Sequence, residues 1–152
     1  PRCEDYTLKW DHALKRRGID PSAFPFYLIN TRSMHFAWGS NTSLPVMSEM
    51  AQYVTGFGGV VINASAAARL GISDGDRVVI ESPLKKKTAT AILREGIRPD
   101  TAVLTGQFGN WAMPFAKDLG IPSINELIEP DQELFDAGGS SCDLVKVRIY
   151  KA

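Results

Sequence analysis

Turn signals recur through the middle of this chain at a spacing of roughly 8–12 residues, and that spacing limits what the chain can become. They fall at Gly56-Phe57-Gly58-Gly59, at Gly71 through Asp76, at Pro83 with Lys85-Lys86-Lys87, and at Gly96 through Asp100. Asp74-Gly75 suits a tight turn, because glycine accepts positive φ without steric cost. Between the turns lie short runs: Val60-Val61-Ile62, Arg77–Ser82, Thr88–Arg94 and Thr101–Thr105. In Thr88–Arg94, Ala89, Ala91 and Leu93 share one face, while Thr88, Thr90, Ile92 and Arg94 share the other, the period of a strand. The last segment repeats the pattern, with Val145, Val147 and Ile149 opposite Lys146, Arg148 and Tyr150. Phe26-Tyr27-Leu28-Ile29, entered past Pro21 and Pro25, is a further aromatic strand. About six short, regularly punctuated strands make a sandwich or a barrel.

Helices enter as insertions. Pro45 suits a first helical turn, and Met47, Met50, Ala51 and Val54 form one apolar face of a helix near 45–54. Asn63 is an N-cap for a helix over Ala64–Leu70, which Gly71 ends. Residues 111–118 form a short helix, and 119–142 are mainly loop. The residues alone therefore predict a small β-barrel with inserted helices and mostly antiparallel pairing, its strand order open. The 152 residues fit one domain, able to bury roughly two-thirds of its unfolded surface. Residues 1–23 are polar and basic and are read as a solvated lead-in from a preceding domain; 24–152 are read as the domain itself. The opening Pro-Arg-Cys reads as a cut from a longer protein.

Charge and composition exclude several functions. Lys plus Arg equals Asp plus Glu, 17 each, which argues against nucleic acid or an anionic membrane as a partner. No apolar run reaches the ~18–20 residues of a membrane span. Cys3 and Cys142 make neither a disulfide framework nor a four-thiolate metal site, and His12 and His35 have no metal-ligand spacing with them.

One segment stands out chemically. Residues 30–42, Asn30 through Thr42, concentrate donors and aromatics: Thr31, Ser33, Ser40 and Thr42 hydroxyls, the Arg32 guanidinium and the His35 imidazole. Arg32 suits a phosphate or carboxylate with two parallel hydrogen bonds. A binding loop and an ordinary polar barrel cap are both open. Elsewhere the bland reading leads. Lys15-Arg16-Arg17 and Lys85-Lys86-Lys87 read as solvated, although each run also suits an anionic contact. Gly56–Gly59 reads as a turn, lacking any phosphate-loop sequence. Glu126, Glu129, Asp131, Glu133 and Asp136 read as a solvated acidic loop, with paired acid–base carboxylates as the alternative. A Ser-His-Asp triad would have no Gly-x-Ser-x-Gly elbow.

Val61-Ile62-Asn63, Ala67-Ala68 and Leu70 through Pro83, with Gly71-Ile72-Ser73-Asp74-Gly75-Asp76 at the centre, resemble a known pattern. It is that of the C-terminal domain of the dimethyl sulfoxide reductase family of molybdenum and tungsten oxidoreductases. Further elements agree in order: Thr31-Arg32 with His35, Leu44-Pro45 with Glu49, Glu95 through Pro99, Asn125-x-Leu127, and Asp136 through Gly139. Two departures are visible: Asn30-Thr31-Arg32 lacks a middle glycine, and Phe135-Asp136-Ala137-Gly138 replaces an Asp-Pro-x-Ser-Gly type of stretch. The resemblance spans about residues 24–150. It implies a six-stranded double-psi β-barrel that packs over pterin dinucleotides, with the metal and any iron–sulfur cluster held elsewhere in the parent.

By that resemblance, Thr31, Arg32, Ser33, Met34 and His35 form the first cofactor-contacting loop, and Asn125 is the late contact. Trp38, as a stacking wall, and Asn41 and Asn110, as donor–acceptor groups, are added from their chemistry. The implied cofactor is molybdopterin guanine dinucleotide. The implied partners are the remaining domains of the parent catalytic subunit and an iron–sulfur electron-transfer subunit. A double-psi barrel serving as a protein-interaction module is the competing reading. A self-cleaving pyruvoyl decarboxylase barrel has no cleavage-site signal in its favour.

Overall fold

Asn63 ends a strand and begins a helix, and its side chain is the reason both can happen at one corner. Its Oδ1 accepts from the Ala66 N–H at 3.1 Å, and its Nδ2 donates to the Ile97 carbonyl at 2.7 Å. One buried amide thus caps a helix and ties it to a turn more than thirty residues away. The computed structural model describes residues 6–36, 41, 43–54, 58–105, 121–128, 131–135 and 144–152.

Within these residues the elements are helix α1 (Tyr6–Arg16), strand β1 (Phe26–Thr31), helix α2 (Pro45–Gln52), strand β2 (Val60–Asn63), helix α3 (Ala64–Arg69), and strands β3 (Arg77–Glu81), β4 (Lys86–Arg94), β5 (Thr101–Thr105) and β6 (Val145–Lys151). The six strands close into a barrel in the order β1-β5-β2-β4-β3-β6. Two neighbouring pairs are parallel, β1 with β5 and β2 with β4; the others are antiparallel. Exchanging β1, β2 and β3 for β4, β5 and β6 leaves this pairing unchanged. The barrel is therefore two interlocked copies of one three-strand path, the double-psi arrangement that the resemblance implies.

Alternation decides what fills the barrel. Leu28, Val60, Ile62, Val78, Ile80, Ala91, Leu104, Val145 and Val147 are buried in one apolar cluster. Ile124 and Leu127 join that cluster from the long segment after β5. The Asp74–Asp76 turn is bound to β4 by its own groups: the Leu93 N–H donates to Asp74 Oδ1 at 2.8 Å, and the Gly75 N–H to the Ala91 carbonyl at 2.9 Å. Gly75 takes φ +84° and Gly71, at the end of α3, φ +68°, the left-handed region expected of both.

Two expectations need correction. The segment 1–23 is not merely a solvated lead-in: α1 buries Trp10, Ala13 and Leu14, and Trp10 and Ala13 join the barrel's own cluster. Asp11 on α1 also meets Lys146 Nζ of β6 at 2.9 Å, so α1 covers part of the barrel's outer face. Helix α2 does not bury the whole face of Met47, Met50, Ala51 and Val54. Ala51 and Met47 pack with Phe36 and Ile121, while Met50 and Val54 are exposed and Ser48 is buried in their place. The pairing is mostly antiparallel as expected, four of the six pairs, with two parallel. The helix expected over 111–118 lies outside the described residues.

Candidate functional site

Register places the chain's donor-rich loop at one end of the barrel. β1 and β5 run in parallel, ending together at Thr31 and Thr105. β2 runs against β5, with Val60 opposite Leu104, so it starts at that same end. β6 runs against β1, with Val145 opposite Leu28, and enters there too. β4 pairs Ala91 with Val60, so its residues before Ala91, Lys87 among them, extend past the start of β2 on this side. The connections after β1, after β5 and before β6 therefore all leave or enter at one rim. This is the rim where the sequence nominates its contacts.

Thr31 and Arg32 are exposed there, Ser33 and His35 are half-buried, and the Met34 side chain is 91% exposed. Met34–Phe36 make one turn of 3-10 helix. Phe36 is the anchor: it is wholly buried against Ala51 and Ile121, which holds the polar residues before it outward. The turn is tightened by Ser33, whose carbonyl accepts from the Phe36 N–H at 3.1 Å. Its Oγ lies 3.4 Å from His35 Nδ1 and accepts from the His35 N–H at 3.4 Å. Asn41 is half-buried, and its carbonyl accepts from the Leu44 N–H just before α2.

Asn125 reaches the same rim by a different route. It is exposed at the centre of a 3-10 turn, Ile124–Glu126, between buried Ile124 and buried Leu127. The Leu127 N–H donates to the Ile124 carbonyl at 2.8 Å. Glu126 meets Lys87 of β4 at 2.5 Å. Thr31 through His35 and Asn125 are thus brought to one end of the barrel. Trp38 and Asn110 lie outside the described residues.

The charged runs have structural partners. Lys86 pairs with Glu81 at 3.2 Å, and Lys87 with Glu126. Arg16 pairs with Glu133, whose N–H bonds the Asp131 carboxylate. The described part of the acidic loop is therefore tied to basic residues and backbone and does not form a carboxylate pair. Sequence reasoning missed the Lys87–Glu126 pair, for which the adjacency of Glu126 to Asn125 was the available signal. Gly59 meets a close approach: a Cβ there would lie 2.1 Å from the Thr90 carbonyl oxygen, so β2 is entered along bare backbone, while Gly56 and Phe57 of the expected turn lie outside the described residues. A cavity of about 350 Å³ opens at the far rim, beside Pro25, Leu70 and Pro99 with Arg69 and Asp100, away from the donor-rich loop.

Hydroxyl, guanidinium, imidazole and carboxamide groups share one rim, and such groups can donate to phosphate oxygens and ring heteroatoms. Among the described residues, no three of His, Cys, Asp and Glu gather as a metal site would require. The family model of the molybdopterin dinucleotide binding domain matches residues 26–147. The chain belongs to the molybdopterin dinucleotide binding domain family. The match begins at the first residue of β1 and ends within β6, so it takes in the barrel path from β1 through β5 and the start of β6.

Relatives of this family member are much longer. A menaquinone reductase, molybdopterin-binding-like subunit, from Nitratidesulfovibrio vulgaris is 34% identical over 77 residues, covering 50% of this chain and 11% of that subunit. The solved structure of acetylene hydratase from Pelobacter acetylenicus matches with a TM-score of 0.67 over 93% of this chain and 19% of its own, at 12% identity. At that identity the likeness speaks for the fold. The described residues hold no helix long and apolar enough to cross a membrane.

Proposed function

We propose that this chain is the cofactor-binding domain of a larger molybdenum or tungsten oxidoreductase subunit, closing over the dinucleotide ends of bis(molybdopterin guanine dinucleotide). The observation that carries the reading is the coincidence of a family match across the barrel with one rim that gathers Thr31 through His35 and Asn125. Arg32 grips pyrophosphate oxygens through its forked N–H groups. Thr31, Ser33 and His35 donate to phosphate and ring acceptors, and the Asn125 amide reads a ring edge that has both donors and acceptors. Phe36 and Ile124 fix the backbone behind these groups, so little ordering is left for binding. When bound, the cofactor supplies oxygen-atom or electron transfer at its metal, whose ligands belong to other domains, as does any link to an iron–sulfur subunit.

The test uses the full-length parent from its own host, analysed for molybdenum, tungsten and released guanine nucleotide. Roughly two guanine nucleotides per metal are expected for a cofactor in which each pterin carries its own nucleotide. Well-folded parent without metal or nucleotide overturns the reading and favours a barrel that binds protein.

A further inference from the structure

Asn125 is exposed on a turn of three residues, and such a short turn has little stiffness of its own. Two independent restraints hold it. Ile124 and Leu127 are inserted in the barrel's apolar cluster on either side. Glu126 meets Lys87 Nζ at 2.5 Å, with both side chains more than two-thirds buried (23% and 31% exposed). Lys87 is itself fixed in the closed sheet, paired in register with Ile80 of β3. The apolar pair sets the depth of the turn. Backbone bonds close the turn on itself, and the Glu126 side chain ties it across to β4, which opposes rotation about the line joining Ile124 and Leu127.

We infer that Lys87 and Glu126 form a positioning pair that sets the orientation of Asn125 toward the cofactor. The inference rests on the proposed function and extends it to two residues that touch no ligand themselves. Partial burial strengthens such a pair relative to an exposed one, because water screens it less. Without the Glu126 charge the turn loses this tie to β4, and without the Lys87 charge the largely buried Glu126 carboxylate draws the turn toward solvent.

The test is made in the full-length parent, with released guanine nucleotide per folded chain and melting temperature measured together. Glu126→Gln is expected to lower nucleotide content several-fold while moving the melting temperature little. The reversed pair, Lys87→Glu with Glu126→Lys, is expected to restore much of the content. A purely structural pair would lower the melting temperature and leave nucleotide content per folded chain unchanged; that result overturns the inference. Full nucleotide content in Glu126→Gln overturns it as well. Asn125→Ala separates the two levels. If it loses nucleotide while Glu126→Gln does not, the positioning pair fails and the cofactor contact stands. If Asn125→Ala keeps full content, the contact itself fails, and the pair with it.

Discussion

Glu81 stands in register with two basic residues at once, Lys86 across β4 and Arg148 across β6. Its carboxylate accepts from Arg148 at 2.6 Å and from the Tyr150 hydroxyl at 2.8 Å, with Lys86 Nζ at 3.2 Å. The Arg148 bond is the leading reason its pKa is held down from 4.5 to about 2, with the Tyr150 and Lys86 bonds acting in the same direction against burial. Between those two values the unfolded chain binds a proton that the folded chain refuses. The stabilisation is therefore complete above pH 4.5 and is lost as pH falls toward 2. Glu81→Gln should lower stability by about 1–2 kcal/mol at neutral pH, with a smaller difference from wild type near pH 3, as read by urea denaturation at both values. Gly59 makes a sharper residue-level case. A methyl group there meets the Thr90 carbonyl, which belongs to the sheet and cannot step aside. Gly59→Ala should cost about 1–3 kcal/mol, whereas Gly96→Ala, with open space around it, should be close to neutral in the same denaturation series.

At the level of elements, what the sequence reveals depends on whether the cause is local. Asn63 is readable because a cap acts within three residues, and Gly71 and Gly75 are readable because positive φ is a property of the residue. Asn63→Ala should cost about 2–3 kcal/mol, since it orphans both the Ala66 N–H and the Ile97 carbonyl. Asn63→Asp keeps the cap but turns an oxygen onto that carbonyl, so it should also destabilise; calorimetry of the two variants separates the two bonds. Helix α1 is harder to read, because Trp10, Ala13 and Leu14 are set among Lys, Asp, His and Arg, and their seat lies on strands that arrive later. The rotation of α2 is set by Phe36 and Ile121, 85 residues apart in sequence, which is why Ser48 faces in and Met50 faces out. The candidate loop is legible as chemistry, through its density of donors. Its sharing a rim with Asn125 is not, because that follows from the strand pairing of the closed barrel and the Lys87–Glu126 pair, long-range choices no local pattern records.

On the proposed function, the whole molecule separates stability from binding. A closed barrel leaves no strand edge unpaired, and its interior residues are buried without help from any ligand. The donor-rich rim contributes Thr31, Arg32 and Met34 from the exposed side, so changes there should register in cofactor content before they register in folding. Arg32→Ala in the parent should therefore lower guanine nucleotide per chain far more than melting temperature. Equal content in mutant and wild type would count against that division. The same reasoning predicts that the 152-residue chain folds alone, giving a dispersed amide proton spectrum without cofactor. Where the folding unit begins is then an energetic question, and α1 answers it. A chain begun at residue 24 loses the Trp10 side chain from the shared cluster, by itself worth about 3–5 kcal/mol. It also leaves Lys146, buried between α1 and the Tyr27 ring, without Asp11. Since a domain's whole stability is only about 5–15 kcal/mol, that shortened chain should show a much lower melting temperature or collapsed amide dispersion. An unchanged spectrum and melting curve would place the boundary at residue 24 and make α1 dispensable to the barrel.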